Sequence, residues 1–126
     1  MRRSWIGFFM LLVLLAGALG VTWGMEKIHR PIARELEQAA GRALAGDWES
    51  ADALSVDAGV RWERWTHFRG CFADHTPMEE VDGVLAEVSV YRAAREEADF
   101  AAACACAARK VAAMGQAHGL SWWNVL

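Results

Sequence analysis

Isoleucine and threonine are scarce in this chain, three of each in 126 residues. Together with valine they never alternate with polar residues over the length of a strand, which excludes a sheet architecture. Also missing are a glycine-rich phosphate loop, a Ser, Asp and His in hydrolase order, and a paired-carboxylate site. No enzyme class is therefore indicated, and no cofactor is implied. There is no excess of basic charge either. After Met25 the chain carries 11 of its 13 basic residues and all 16 acidic ones, a formal charge of −5. Phosphate binding needs a basic surface, so nucleic acid is excluded as a partner.

Charge is absent altogether from Ser4 to Met25. About twenty apolar residues at 1.5 Å each cover the ~30 Å of a bilayer's hydrocarbon core. Trp5 and Trp23 stand at opposite ends of the run, where indole rings favour the headgroup layer. Arg2 and Arg3 precede it, and the positive-inside rule then keeps the N-terminus in the cytoplasm and sends the rest of the chain outside. The expectation is an anchor over residues 1–25 and an extracytoplasmic helical domain over 26–126. The alternative is a cleaved signal peptide, with Ile6 to Leu15 as its apolar region and Ala18-Leu19-Gly20 as small residues at a cleavage site. No cysteine follows the apolar run, so a lipoprotein anchor is not expected.

What the soluble part does have is alanine and helical periodicity, so the class is all-α. Ile28, Ile32, Leu36, Ala39, Ala43 and Leu44 make one stripe, with Pro31 as a helix start or kink and Gly46 as the stop. Asp47 is an N-cap for a second helix whose apolar face runs Trp48, Ala51, Leu54, Ala58, Trp62, Trp65 and Phe72. Thr76-Pro77-Met78-Glu79 reads as a capping box with proline at the first helical position. A third helix then turns Met78, Val81, Leu85, Val88 and Tyr91 inward. After a break at Glu96 to Ala98, a fourth presents Phe100, Ala103, Cys104, Ala107, Val111 and Met114, with Gly119 ending or interrupting it. The architecture expected is an antiparallel bundle of about four helices, two hairpins, whose Gly46-Asp47-Trp48 turn resembles that of a tetratricopeptide hairpin.

Few residues could carry chemistry. His67, Cys71 and His75 are spaced by four and would share a face if they lay on one helix, a geometry open to a metal but lacking a fourth ligand. Cys104 and Cys106 point about 200° apart on a helix and cannot bridge one another. A Cys71–Cys104 bridge across the bundle is an option, which leaves one cysteine over. Trp48, Trp62 and Trp65 belong to the core stripe. The ending Gly119 to Leu126 is different: Trp122, Trp123 and Leu126 form an apolar tail that must fold back, dock on lipid or meet a partner.

The N-terminal anchor, Gly46-Asp47-Trp48 with Ala51, Trp62 and Trp65, the Ala73-Asp74-His75 corner with Glu79-Glu80-Val81-Asp82, and the ending Leu120-Ser121-Trp122-Trp123-Asn124-Val125-Leu126 carry a family resemblance. In these patterns the chain resembles, over nearly its whole length, the short bacterial membrane proteins grouped as domain of unknown function 4363, found largely in clostridia-like lineages. It departs from them in using Ala and Arg where Lys, Glu and Ile are the rule. The resemblance implies an anchored helical domain and brings no activity, cofactor or substrate with it. The function expected is a non-enzymatic, membrane-tethered module that holds a protein partner in the envelope or during sporulation. A sensor or binding domain for a metal or small apolar ligand, using His67, Cys71, His75 and the neighbouring tryptophans, is the alternative.

Overall fold

The apolar run and the first amphipathic stripe form one uninterrupted helix, α1 (Arg2–Leu44). In the computed structural model, which describes residues 2–69 and 75–117 and the side chains of 4–66 and 76–116, three more helices follow. These are α2 (Trp48–Arg69), α3 (His75–Ala94) and α4 (Glu97–Ala117), and no strand occurs among the described residues. Pro31 lies inside α1 and does not start it. Its missing N–H leaves the Lys27 carbonyl without a helical donor, and the ring sits on the exposed side, where water can take that place. At its other end α1 loses an expected core residue: Leu44 is 73% exposed. As the last helical residue it lies beyond the cover of the neighbouring helices, and Ala33 and Ala40 are buried on the same helix instead.

The chain reverses twice by the same backbone device. Gly46 has φ of +80°, and the N–H groups of Gly46 and Asp47 donate to the carbonyls of Ala43 and Arg42 at 3.1 and 2.9 Å. These are the paired bonds of a Schellman motif, and only glycine enters the left-handed region without steric cost. The second reversal places Arg95 there, at φ of 55°, with Arg95 and Glu96 N–H donating to the carbonyls of Arg92 and Tyr91. Asp47 caps α2 as its position suggests, accepting from the Ser50 N–H at 3.3 Å. Hydrogen bonding with the Ser50 side chain and then its N–H, helped by the Arg42 guanidinium, holds the Asp47 carboxyl below its ordinary range. Helix α3 begins at His75, so Thr76 and Pro77 fall within its first turn, a position proline tolerates.

The end of the bundle next to the apolar half of α1 is its base, and the end bearing the two reversals is its tip. Helix α1 packs against α2 and most extensively against α4, α3 packs on α4, and α2 barely touches α3. The result is an up-down-up-down bundle, open along the α2–α3 seam. Its hairpins face each other through α1 and α4, unlike the sequential stacking of solenoid repeats. Small residues explain the close α1–α4 contact: Ala33, Ala39, Ala40 and Ala43 are buried on one helix, Ala101, Ala103, Ala107 and Ala108 on the other. Trp62, Phe100, Ile32, Leu36 and Val111 fill the space between helices. Trp48 and Phe100 meet at 4.9 Å between centroids to close the tip. The third and fourth stripes turn inward as their spacing predicts, with Leu85 and Tyr91 half-buried and the rest sealed.

Candidate functional site

Two features of the structure are not consumed by the fold: the apolar half of α1 and the polar stripe that follows it. From Ser4 to Val21 every residue of α1 is exposed, including Phe8, Phe9, Leu11 and Leu14. No other helix covers this stretch, and it is long and apolar enough to cross a membrane. Thirteen large apolar side chains between Trp5 and Trp23 stand in the open. At about 2 kcal/mol for each, keeping them in water costs on the order of 25 kcal/mol, more than a small bundle's whole stability. A core helix of a soluble protein would have hidden them.

Beyond Trp23 the helix enters the bundle, and its faces diverge. Met25, His29, Ile32 and Leu36 turn inward, while Glu26, Lys27, Arg30 and Arg34 turn out. His29 is the residue that sequence reasoning passed over. It is 2% exposed, and its Nδ1–H donates to the Met25 carbonyl at 2.7 Å, which fixes the proton on that nitrogen. Trp62 lies edge-on to the imidazole at 6.3 Å and Trp65 at 5.5 Å. Gly115 of α4 backs it so closely that a Cβ there would stand 3.4 Å from the His29 Cβ. The signal that could have found it is the spacing Met25, His29, Ile32, Leu36, which extends the buried stripe one turn toward the apolar run.

On the outer face Lys27 Nζ sits 4.7 Å from the centre of the Trp23 ring. Arg30 pairs with Glu26 at 3.3 Å, and Arg61 of α2 reaches Glu35 Oε1 at 3.0 Å. The other Glu35 oxygen, Oε2, is buried and finds no donor among the described residues. Trp23, Glu26, Lys27, Arg30 and Glu35, with Arg34, line an open groove of about 540 Å³ along α1. A second opening, about 340 Å³, follows the α2–α3 seam. Across it Trp62 Nε1–H donates to Asp82 at 2.6 Å, and nearer the tip Arg92 pairs with Asp52 at 3.6 Å. These two links bridge helices that otherwise hardly meet.

The residues singled out in the sequence fare unevenly. His67 lies in the last turn of α2 and His75 opens α3, so the two are on different helices, and spacing by four does not align them on one face. Their side chains, Cys71 and Phe72 lie outside the described residues, as do Trp122, Trp123 and Leu126. Among the described residues no group of three or more metal-binding side chains comes together. Trp62 is buried, and Trp48 and Trp65 are half-buried, in keeping with a core stripe. Cys104 and Cys106 are free thiols, Cys104 sealed in the core and Cys106 half-buried, and Cys71, the other end of the expected Cys71–Cys104 bridge, lies outside the described residues. Burial pushes the Cys104 thiol up to about 12. No family model, no curated protein and no solved structure matches the chain.

Proposed function

We propose that the chain is a single-pass membrane protein whose bundle is a non-enzymatic module holding a protein partner. In this reading the apolar half of α1 crosses the bilayer with Arg2 and Arg3 in the cytoplasm, and the bundle stands on the outer face of a bacterial cell membrane. The observation that carries it is the continuity of α1: thirteen exposed apolar side chains and the central helix of the bundle belong to one element without a linker. Such a helix fixes the bundle's orientation to the bilayer, which suits a platform. The described polar groups support a platform as well, since Asp47 caps a helix, Asp82 and Asp52 bridge the seam, and Lys110 and Glu80 tie α4 to α3 at 2.9 Å. The likeness to domain of unknown function 4363 belongs to the same proposal.

The test is topology by thiol labelling with an impermeant maleimide on intact cells, followed by intact mass. Cys106 is the useful reporter among the described thiols, because Cys104 is sealed. Labelling from outside on a full-length, membrane-bound species is the expected result. Labelling only after permeabilisation overturns the outward orientation, and a mass lacking about the first twenty residues replaces the anchor with a cleaved signal.

A further inference from the structure

Trp23, Lys27, Arg30 and Arg34 recur at intervals of four, three and four, so they lie along one face of α1 just past its apolar half. We propose that this face binds the phosphate of an anionic phospholipid in the leaflet beside the bundle, an inference that rests on α1 crossing the membrane. Depth is the first argument. The twenty residues from Ser4 to Trp23 match the ~30 Å hydrocarbon core, and the headgroup layer adds roughly 5–7 Å on each side. Lys27 stands about 6 Å beyond Trp23 along the axis, Arg30 about 10 Å and Arg34 about 16 Å. Helical side chains lean toward the N-terminus, which here is toward the bilayer, so the Lys27 and Arg30 side chains slope back to the phosphate level, and Arg34 stands above it. The Lys27 ammonium over the Trp23 ring shows that slope.

Charge is the second argument. Of the carboxylates that line the groove, Glu26 is engaged by Arg30 and one oxygen of Glu35 by Arg61 on α2. Lys27 and Arg34 have no ion pair among the described residues, which leaves two cations facing an open groove. A zwitterionic headgroup matches them poorly; one with net negative charge neutralises them. The rest of the bundle is arranged to agree. In its tip half, residues 36–58 and 85–107, three basic residues stand against nine acidic ones. An anionic bilayer attracts the base and repels the tip, which keeps the bundle upright.

The experiment uses the full chain in lipid nanodiscs of mixed phosphatidylcholine and phosphatidylglycerol, with the lipids retained after gentle extraction counted by native mass spectrometry. The wild type is expected to retain phosphatidylglycerol several-fold above its share of the disc. The double variant Lys27→Gln, Arg30→Gln should retain it at that share, with unchanged helicity, since both side chains are exposed. Absence of enrichment in the wild type overturns the inference, and so does enrichment that survives in the variant. A chain that stays out of the discs overturns the membrane reading along with it.

Discussion

Trp62 fills the middle of the bundle and also holds two helices at their open seam, because its ring is buried while its N–H reaches Asp82. The two contributions separate by substitution. Trp62→Ala leaves a large cavity and is expected to cost about 3–5 kcal/mol. Trp62→Phe keeps most of the ring and loses a hydrogen bond to a charged acceptor, about 1.5–3 kcal/mol. Thermal unfolding in detergent, followed by helicity, measures both, and a phenylalanine variant as stable as wild type would show that the Asp82 bond contributes nothing. Cys104 is a second residue-scale test. Its thiol is held up to about 12 against an ordinary value of 9.0. Folding therefore favours the protonated form, the unfolded chain loses its proton first, and stability falls as pH rises above about 9. The loss approaches about 1.4 kcal/mol per pH unit between the two values. Melts of wild type and Cys104→Ala from pH 8 to 11 should converge as pH rises, and parallel profiles would remove Cys104 from the account.

At the scale of elements, the two reversals make a natural comparison, since one uses glycine and the other arginine at the same left-handed position. Arg95→Gly is expected to stabilise the bundle by about 0.5–1 kcal/mol, and Gly46→Val to destabilise it by about 1–2 kcal/mol or more. Melting temperatures that move together, in either direction, would contradict the shared geometry. Much at this scale was legible in the sequence. The stripes of α3 and α4 could be read because burial on one side of a helix imposes its 3.6-residue period on the residue choice. The Gly46-Asp47 reversal could be read because glycine and aspartate are needed there for separate physical reasons, a left-handed φ and a cap. The unity of α1 could not. Charge begins at Glu26 and proline stands at position 31, both ordinary boundary marks, and the helix continues because that proline faces outward. His29 stayed hidden for a related reason: its immediate neighbours, Ile28 and Arg30, give no sign that it belongs to the buried face. Nor was the pairing of helices legible, since period tells which face is buried and not which helix covers it.

For the molecule as a whole, the boundary between the exposed apolar run and the core falls within a single helix. The continuous run of exposed apolar side chains ends at Trp23, and the first buried side chain is Met25. None of the buried core residues comes from the apolar half, so the bundle has no need of it. A chain beginning at Gly24 is expected to be water-soluble, helical over the bundle and within a few degrees of the full-length melting temperature. Removing thirteen exposed apolar side chains removes the reason for aggregation and takes no contact from the core. Circular dichroism and analytical ultracentrifugation of the shortened chain test this directly. Aggregation or loss of helicity would mean that the apolar half supports the bundle through α1, by supplying the turns that precede His29 in the helix. The same independence bears on signal cleavage: a cut after Gly20 leaves every residue of the core cluster in place. In the proposed function, retention of the anchor is thus decided by processing, and intact mass from the native membrane is the quantity that separates the proposed tethered platform from a released one.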